Sequence, residues 1–417
     1  VLAVFGLVIY LLFKQPTLRI PLTQRYLTLD YSLAPLVGVL ILLAAGLLPP
    51  QEIWAAIRGG ATLKPYAIII LILSMSYLCL SLDNTGFFDY SSLKVLGKAG
   101  GSGRRLFFLV TLWTFLLTLF TDNDIVILTM TFLICSFAYR ASLDPKPLLF
   151  SQFFMVNTAG MVLYIGNPTN IVLSDAFGVN FVEYTRWMLL PSLTLSAFAV
   201  LWLWVLFGRG IPARYKKPEL ESSLALKDRR GAFLDLGLLA GMILLMSVGL
   251  PAWEVSLSFA LLALLADSIR KTGVWSVLKK VPWKLSYFLF GFFALVRGLE
   301  ITGCLALLSP FLEKMVETRY LGVAGVVLLS SLTASVINNH PMSILFAKAL
   351  GTCSLDAVFA CIVGSNLGAN LALTGALAGL LWVNILNTKG VEVTFSEFSK
   401  RGFLYTLPLI LLAGLVL

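Results

Sequence analysis

A polar triplet held between two apolar arms, Asp122-Asn123-Asp124 flanked by residues 106–119 and 126–139, constrains this chain more than any other feature. A soluble fold has no use for two carboxylates and an amide at the far end of such arms. In hydrocarbon an ionised carboxylate costs a few kcal/mol unless it is solvated, paired or protonated, so a triplet at that depth marks a functional site. A second tip of the same character, Asn338-Asn339-His340 before Pro341, stands about two hundred residues later inside the apolar stretch 321–350.

Hydrophobic residues make up 59% of the 417 and charged ones only 12%, too little polar surface for a water-soluble fold. Repeated apolar stretches approach the roughly 20 residues a helix needs to cross a bilayer, and no alternating strands of about ten residues indicate a barrel. The fold expected is an all-α polytopic membrane protein of about ten transmembrane helices plus two re-entrant hairpins. Val1 already lies within an apolar run, so the natural start of the chain is expected upstream. The net charge of +10 comes from cations in short loops, where positive-inside orientation accounts for them and implies no nucleic-acid partner. Cys79, Cys135, Cys304, Cys353 and Cys361 stand singly, without CxxC or His-bearing ligand spacing. They read as small buried hydrophobes, so neither a metal site nor a cofactor is expected.

Charge then sets the course of the chain. Residues 1–13 form a first span, and Lys14, Arg19 and Arg25 mark a cytoplasmic link. Residues 33–48 cross outward, Pro49-Pro50 turn them, 54–64 run along the far surface, and 65–82 return to Lys94, Lys98, Arg104 and Arg105. Cations bound residues 106–139 at both ends, with Arg140 and Lys146 following. That stretch should therefore be a re-entrant hairpin (104–140), each arm of about 15 residues rising roughly 22 Å to a tip at membrane depth. The next segment, 147–180, crosses outward but is broken at Gly166-Asn167-Pro168-Thr169-Asn170, which cannot continue a helix and is too apolar in its flanks for a surface loop. Residues 184–207 return to a cytoplasmic linker, 209–231, cationic and too short for a soluble catalytic domain.

The second half, 232–417, repeats this order. It has spans at 233–250, 253–267, 285–303 and 403–417, a hairpin at 320–350 entered from the opposite side, and a broken helix at 354–386 interrupted around Gly368-Ala369-Asn370 and Thr374-Gly375. With an odd number of spans in the first half, 1–208, the second half is upside down relative to it, an inverted repeat. Identity between the halves is slight and rests on Asn123 against Asn339 and on one polar break after each tip.

Four interruptions thus meet at mid-membrane, where free helix ends, Asn and Thr offer donors and acceptors that can replace the hydration shell of a small polar solute. The candidate substrate-binding residues are Asn123, Gly166, Asn167, Thr169, Asn170, Asn339, Gly368, Asn370 and Thr374, and the candidates for ion or proton coupling are Asp122, Asp124 and His340. One residue of each tip should also cap a helix: Asp122, Asn123 or Asp124 in the first, Asn338 or Asn339 in the second. Capping alone does not account for two carboxylates at one tip. His340, the sole histidine, either carries a coupling proton or caps a turn facing out of the membrane. Arg297 and Glu300 read as an interfacial ion pair. Asn157 and Asn366, one on each broken helix before its break, either line the site or bond neighbouring helices. With one histidine remote from any Ser or Cys partner, no catalytic residue and no enzyme is expected.

The strings 121–129, 164–170, 338–341 and 367–375 resemble the ion transporter superfamily, in particular its ArsB arsenite-efflux branch, over essentially the whole chain. Related branches include NhaD sodium/proton antiporters and divalent-anion symporters with Ser-Asn-Thr tips. Asp-Asn-Asp and Asn-Asn-His depart from the latter pattern. The resemblance implies an elevator-type secondary transporter of the inner membrane, in which a domain bearing both hairpins slides against a scaffold. A homodimer and a cytoplasmic ATPase subunit remain open as partners. The site as read has two potential anions and no Lys or Arg, so a doubly charged anion would be repelled, whereas neutral arsenous acid or a cation fits better. The leading expectation is proton-coupled efflux of arsenite or antimonite as the neutral trihydroxide, with Asp122 or Asp124 and His340 exchanging protons. The alternative is a sodium/proton antiporter or sodium-coupled dicarboxylate transporter of the same superfamily.

Overall fold

The computed structural model describes residues 1–19, 26–60, 63–218, 222–316, 319–351 and 354–417; Arg25 and Cys353 lie outside them. The first half runs α1 (Leu2–Lys14), a short antiparallel ribbon of β1 (Thr17–Arg19) and β2 (Tyr26–Thr28), α2 (Ala34–Ala44), α3 (Pro50–Arg58), α4 (Pro65–Asn84) and α5 (Phe87–Gly97). It continues through α6 (Gly103–Phe120), α7 (Asn123–Ala141), α8 (Lys146–Ala159), α9 (Pro168–Ala176) and α10 (Phe181–Phe207). After the linker come α11 (Arg229–Ser247), α12 (Ala252–Arg270), α13 (Val274–Lys280), α14 (Trp283–Ile301), α15 (Ser309–Val316), α16 (Arg319–Ile337), α17 (Asn339–Ala349), α18 (Leu355–Gly368), α19 (Leu377–Thr388) and α20 (Phe395–Val416).

The all-α reading stands, apart from the three-residue ribbon strands. The element ends follow ordinary helix chemistry. Proline opens α3, α4, α8 and α9 where its missing N–H is not needed. Ser102, Asn180, Asp228 and Thr394 accept backbone N–H groups at the starts of α6, α10, α11 and α20. The short helix α5 was not expected from sequence, because its mixed composition has no long apolar run.

Among the described residues seven helices are long and apolar enough to cross a membrane: α4, α6, α7, α10, α11, α12 and α20. Both arms of the first hairpin are among them, at 18 and 19 residues, which is longer than the 15 anticipated. Exposed Leu190, Leu201, Val205, Leu244, Leu265, Leu411 and Leu415 on α10, α11, α12 and α20 give the bundle an apolar outer face, as lipid contact requires. The chain is a multi-pass membrane protein.

Without a hydrophobic drive between helices in lipid, close approach depends on small residues. Helix α16 packs on both α18 and α20 in this way. Gly364 of α18 sits against Ser330, and a Cβ on Gly414 of α20 would lie 2.5 Å from the Cβ of Ala324. Helix α4, buried along most of its length, wedges between α11 and α12 on one side and α9 and α14 on the other. We expect Gly414→Val to force α20 off α16 and to cost about 1–3 kcal/mol, read as a lower melting midpoint in detergent.

Candidate functional site

At each tip the first residue of the triplet caps a helix and so frees the second. Thr121 ends the first arm in extended conformation, its hydroxyl donating to the Leu117 carbonyl at 2.7 Å. Asp122 then opens α7 by accepting the Asp124 N–H at 2.8 Å. Asn338 opens α17 by accepting the His340 N–H at 3.2 Å, and its Nδ2 donates to the Thr374 carbonyl at 3.2 Å. Asn338 does so at φ 77° and ψ 148°, a region nearly reserved for glycine that costs about 1–3 kcal/mol. Its two side-chain bonds hold it there.

The middle residues, Asn123 and Asn339, are both buried. Among the described residues the Asn123 amide has no hydrogen-bond partner. Asn339 Oδ1 meets His340 Nδ1 at 2.9 Å, while Asn339 Nδ2 and His340 Nε2 are buried without partners. His340 lies edge-on to Phe288 and is buried, so it does not face solvent.

The two helix breaks are the same turn built twice. After α8, Gly160 has φ −59° and ψ −21°; after α18, Ala369 has the same pair of angles. A single 3₁₀ turn follows, Tyr164–Gly166 or Leu373–Gly375, and an extended residue, Asn167 or Ala376, opens the second half-helix. A Cβ on Gly166 would lie 2.5 Å from the Gly160 carbonyl oxygen, and one on Gly375 would lie 2.6 Å from that of Gly368. Gly368 itself abuts the Ser331 carbonyl of α16 at the same range. These glycines hold backbone against backbone, which no larger residue permits.

Buried amides then bind one broken helix to the other. Asn366 Nδ2 donates to Asn170 Oδ1 at 2.8 Å, and Asn366 Oδ1 accepts from Asn167 Nδ2 at 2.9 Å. Asn167 also accepts the Thr169 N–H, and Asn170 Nδ2 donates to the Gly160 carbonyl and to that of Leu163, which also accepts the Gly166 N–H. Thr169 and Ser365 hydroxyls meet at 3.0 Å, and Asn157 Nδ2 donates to Asn370 Oδ1 at 2.9 Å. Asn157 Oδ1 and Asn370 Nδ2 stay buried and unpartnered. So Asn157 and Asn366 do bond neighbouring helices, and Ser365, which carried no motif signal, joins them.

The packing is crossed: α7, from the first hairpin, lies on α19 of the second broken helix, and α17, from the second hairpin, lies on α9 of the first. Asp122 and Asp124 line a cavity of about 310 Å³ with Ser76 and Leu80 of α4, Leu377 and Asn384 of α19, Tyr31, and two lysines, Lys280 and Lys284. The lysines correct the expectation of a site free of cations. Each is engaged elsewhere, Lys284 with Asp30 at 2.5 Å and Lys280 with Asp83 at 3.6 Å. Burial pushes the Tyr31 phenol up to about 12, with Asp124 and Asp30 adding to the effect, so it stays a neutral donor. Asp30 and Tyr31 come from the loop before α2, Lys280 from the end of α13 and Lys284 from the first turn of α14, and nothing in sequence placed them beside the tip. Among the described residues no hydrogen bond joins the first tip to the second.

Arg297 pairs with Glu300 at 2.8 Å, as read from sequence, and also with Glu52 at 2.8 Å.

Residues 22–364 match the family described as CitMHS, citrate transporter. The chain belongs to this family. As a CitMHS member it falls within the ion transporter superfamily, and it is a membrane transporter for a small solute. Over 430 residues it is 28% identical to the arsenical pump membrane protein of Escherichia coli strain K12, covering 98% of this chain and 95% of that protein. It is 25% identical to the putative arsenical pump membrane protein of Bacillus subtilis, covering 87% and 88%. The crystal structure of the Alcanivorax borkumensis YdaH transporter shares the fold, with a TM-score of 0.58 at 16% identity over 99% of this chain and 95% of that one.

The amide contacts generate a contrast in stability. Asn366→Ala strands Asn167 Nδ2 and Asn170 Oδ1 and should cost about 1–3 kcal/mol for each stranded group. Asn123→Ala removes an amide with no partner and should stay within about 0.5 kcal/mol. Melting of both variants in detergent checks the contrast.

Proposed function

We propose that this transporter exports arsenite and antimonite as the neutral trihydroxide, coupled to protons. The observation that carries the reading is the set of buried, uncharged groups left unpartnered at the second tip and between the breaks: Asn339 Nδ2, His340 Nε2, Asn370 Nδ2 and Asn157 Oδ1. Buried polar groups in membranes are normally satisfied, so unpartnered donors beside an acceptor suit a small hydroxylated solute. Asn123, also unpartnered, is the first tip's counterpart of Asn339. The names of the E. coli and B. subtilis relatives point to the same solute class.

Asp122 and Asp124 take the coupling proton in this reading, because they line one cavity with Gln15, Asp30 and Tyr31, from the link that Lys14, Arg19 and Arg25 assign to the cytoplasm. His340 is absent from that lining, which leaves it as a solute contact through Nε2. The two halves act as inverted repeats. Their support is the matching φ and ψ at Gly160 and Ala369, and the same capping pattern at Asp122 and Asn338. The broken helices, tied by Asn157, Asn366 and their partners, would move with the hairpins as one body in an elevator step within the inner membrane. A citrate-like polyanion, which the family description suggests, is disfavoured: both cavity lysines are already paired and the tip adds two carboxylates.

The test is arsenite uptake into inverted vesicles with and without a proton gradient. Asn123→Ala should lower uptake by roughly tenfold or more, the loss of one well-placed hydrogen bond or its equivalent. Asp122→Asn and Asp124→Asn should abolish its dependence on the gradient. Sodium-driven proton movement without arsenite uptake would instead establish sodium/proton antiport.

A further inference from the structure

Away from the tips, α4, α11 and α12 enclose a second group of acids. Asp235 of α11 is fully buried and Asp267 of α12 nearly so. Ser81 Oγ of α4 lies 2.8 Å from Asp235 Oδ2 and 2.9 Å from Asp267 Oδ2. Tyr77, one helical turn earlier on α4, donates to the same Asp267 Oδ2 at 2.9 Å. Arg270 Nη2 donates to Asp267 Oδ1 at 2.6 Å and the Thr272 hydroxyl donates to it at 3.1 Å. Asp267 is thus served on both oxygens. Asp235 is not: among the described residues its buried Oδ1 has no hydrogen-bond partner, and Arg270 Nη2 is 3.6 Å away.

A count of protons shows what is missing. A serine hydroxyl has one hydrogen, yet two carboxylate oxygens stand within bonding distance of it. If both acids were ionised, one Ser81–oxygen contact would have no proton in it, and a bare carboxylate oxygen would be stranded in a buried site. Charge agrees with this. Asp228, Asp235 and Asp267 surround one guanidinium, and Arg270 already binds Asp228 at 3.0 Å as well as Asp267. Lys227 lines the adjoining cavity but makes no ion pair with the three among the described residues.

We infer that Asp235 and Asp267 share one proton, carried on Asp235, and form a proton-exchange site separate from the hairpin tip. The chain of donors then closes: the Asp235 carboxyl donates through Oδ2 to Ser81 Oγ, the Ser81 hydroxyl donates to Asp267 Oδ2, and Asp267 remains the anion that pairs with Arg270. Oδ1 of Asp235 becomes the carbonyl of a neutral acid, which tolerates the absence of a donor far better than a carboxylate oxygen does. The proton can leave along the same chain, Asp235 passing its proton to Ser81 as Ser81 passes its own to Asp267, because Ser81, Asp267 and Arg270 line a cavity of about 300 Å³. The groups facing the pair are Tyr77 from α4, Asp228 and Lys227 at the start of α11, and Arg270 from α12. Helix α4 separates this site from the first one, presenting Ser76 and Leu80 to the Asp122 and Asp124 cavity and Tyr77 and Ser81 to the acid pair.

The inference does not depend on the solute, and its test needs no transport. Infrared spectra of the purified protein at pH 7 should show a neutral-carboxyl C=O band that shifts in D₂O and is lost in Asp235→Asn; a spectrum unchanged by that substitution overturns the assignment. The amide of Asp235→Asn can donate to Ser81 as the acid does, so its melting midpoint should move by less than roughly 2 °C, whereas Asp267→Asn deprives Arg270 of the more buried of its two paired anions and should lower the midpoint by roughly 5 °C or more. Equal destabilisation by the two substitutions would mean that Asp235 is ionised, and would also overturn it.

Discussion

Everything in this structure depends on one requirement: backbone that leaves the helix inside hydrocarbon must find its partners within the protein. Both broken helices meet that requirement with asparagine. Asn170 takes the carbonyls that the first break frees, Asn366 holds Asn170 and Asn167, and Asn157 reaches across to Asn370. Because each amide satisfies the other helix rather than only its own, neither break can be built alone. The ladder that makes the breaks affordable also ties the two halves of the chain together.

That ladder separates structural amides from working ones. Asn167, Asn170 and Asn366 are fully occupied, so replacing them unpairs the breaks. Among the described residues Asn123, Asn157, Asn339 and Asn370 keep an amide group, or part of one, free, and His340 keeps its Nε2 free. On the proposed reading, the occupied amides hold the shape and the others are left for a solute. The free groups are uncharged, while the fixed charges near the first tip are carboxylates and lysines already paired with other acids. This division is what the proposed export of a neutral solute, coupled through Asp122 and Asp124, rests on.

Much of this was legible in the residues. Pro168 and Pro341 announced helix starts, the Gly-Asn-Pro-Thr-Asn and Gly-Ala-Asn strings announced breaks, and the apolar arms around Asp122 announced a hairpin. The arms proved longer than expected because Gly103, Arg104 and Arg105 extend α6 and Arg140 and Ala141 extend α7; polar residues at a helix end carry no hydropathy signal. Helix α5 and the ribbon of β1 and β2 were not legible, since neither has the apolar run that identifies a span. Nor was the role of Asn157 and Asn366, for which lining a site and bonding a neighbour predict the same sequence.

By itself the sequence determined the class of protein, the order of its spans and interruptions, and which residue types sit at each interruption. Hydropathy, proline and glycine are local properties that no distant contact can reverse. Only the tertiary structure decided which amides are spent and which are free, that Lys280 and Lys284 share the cavity of Asp122 and Asp124, and that Asp235 and Asp267 meet over Ser81. The reason is physical: a hydrogen bond or an ion pair between residues as far as 254 positions apart leaves no trace in the composition around either partner, and whether a buried polar group is satisfied depends on that partner alone.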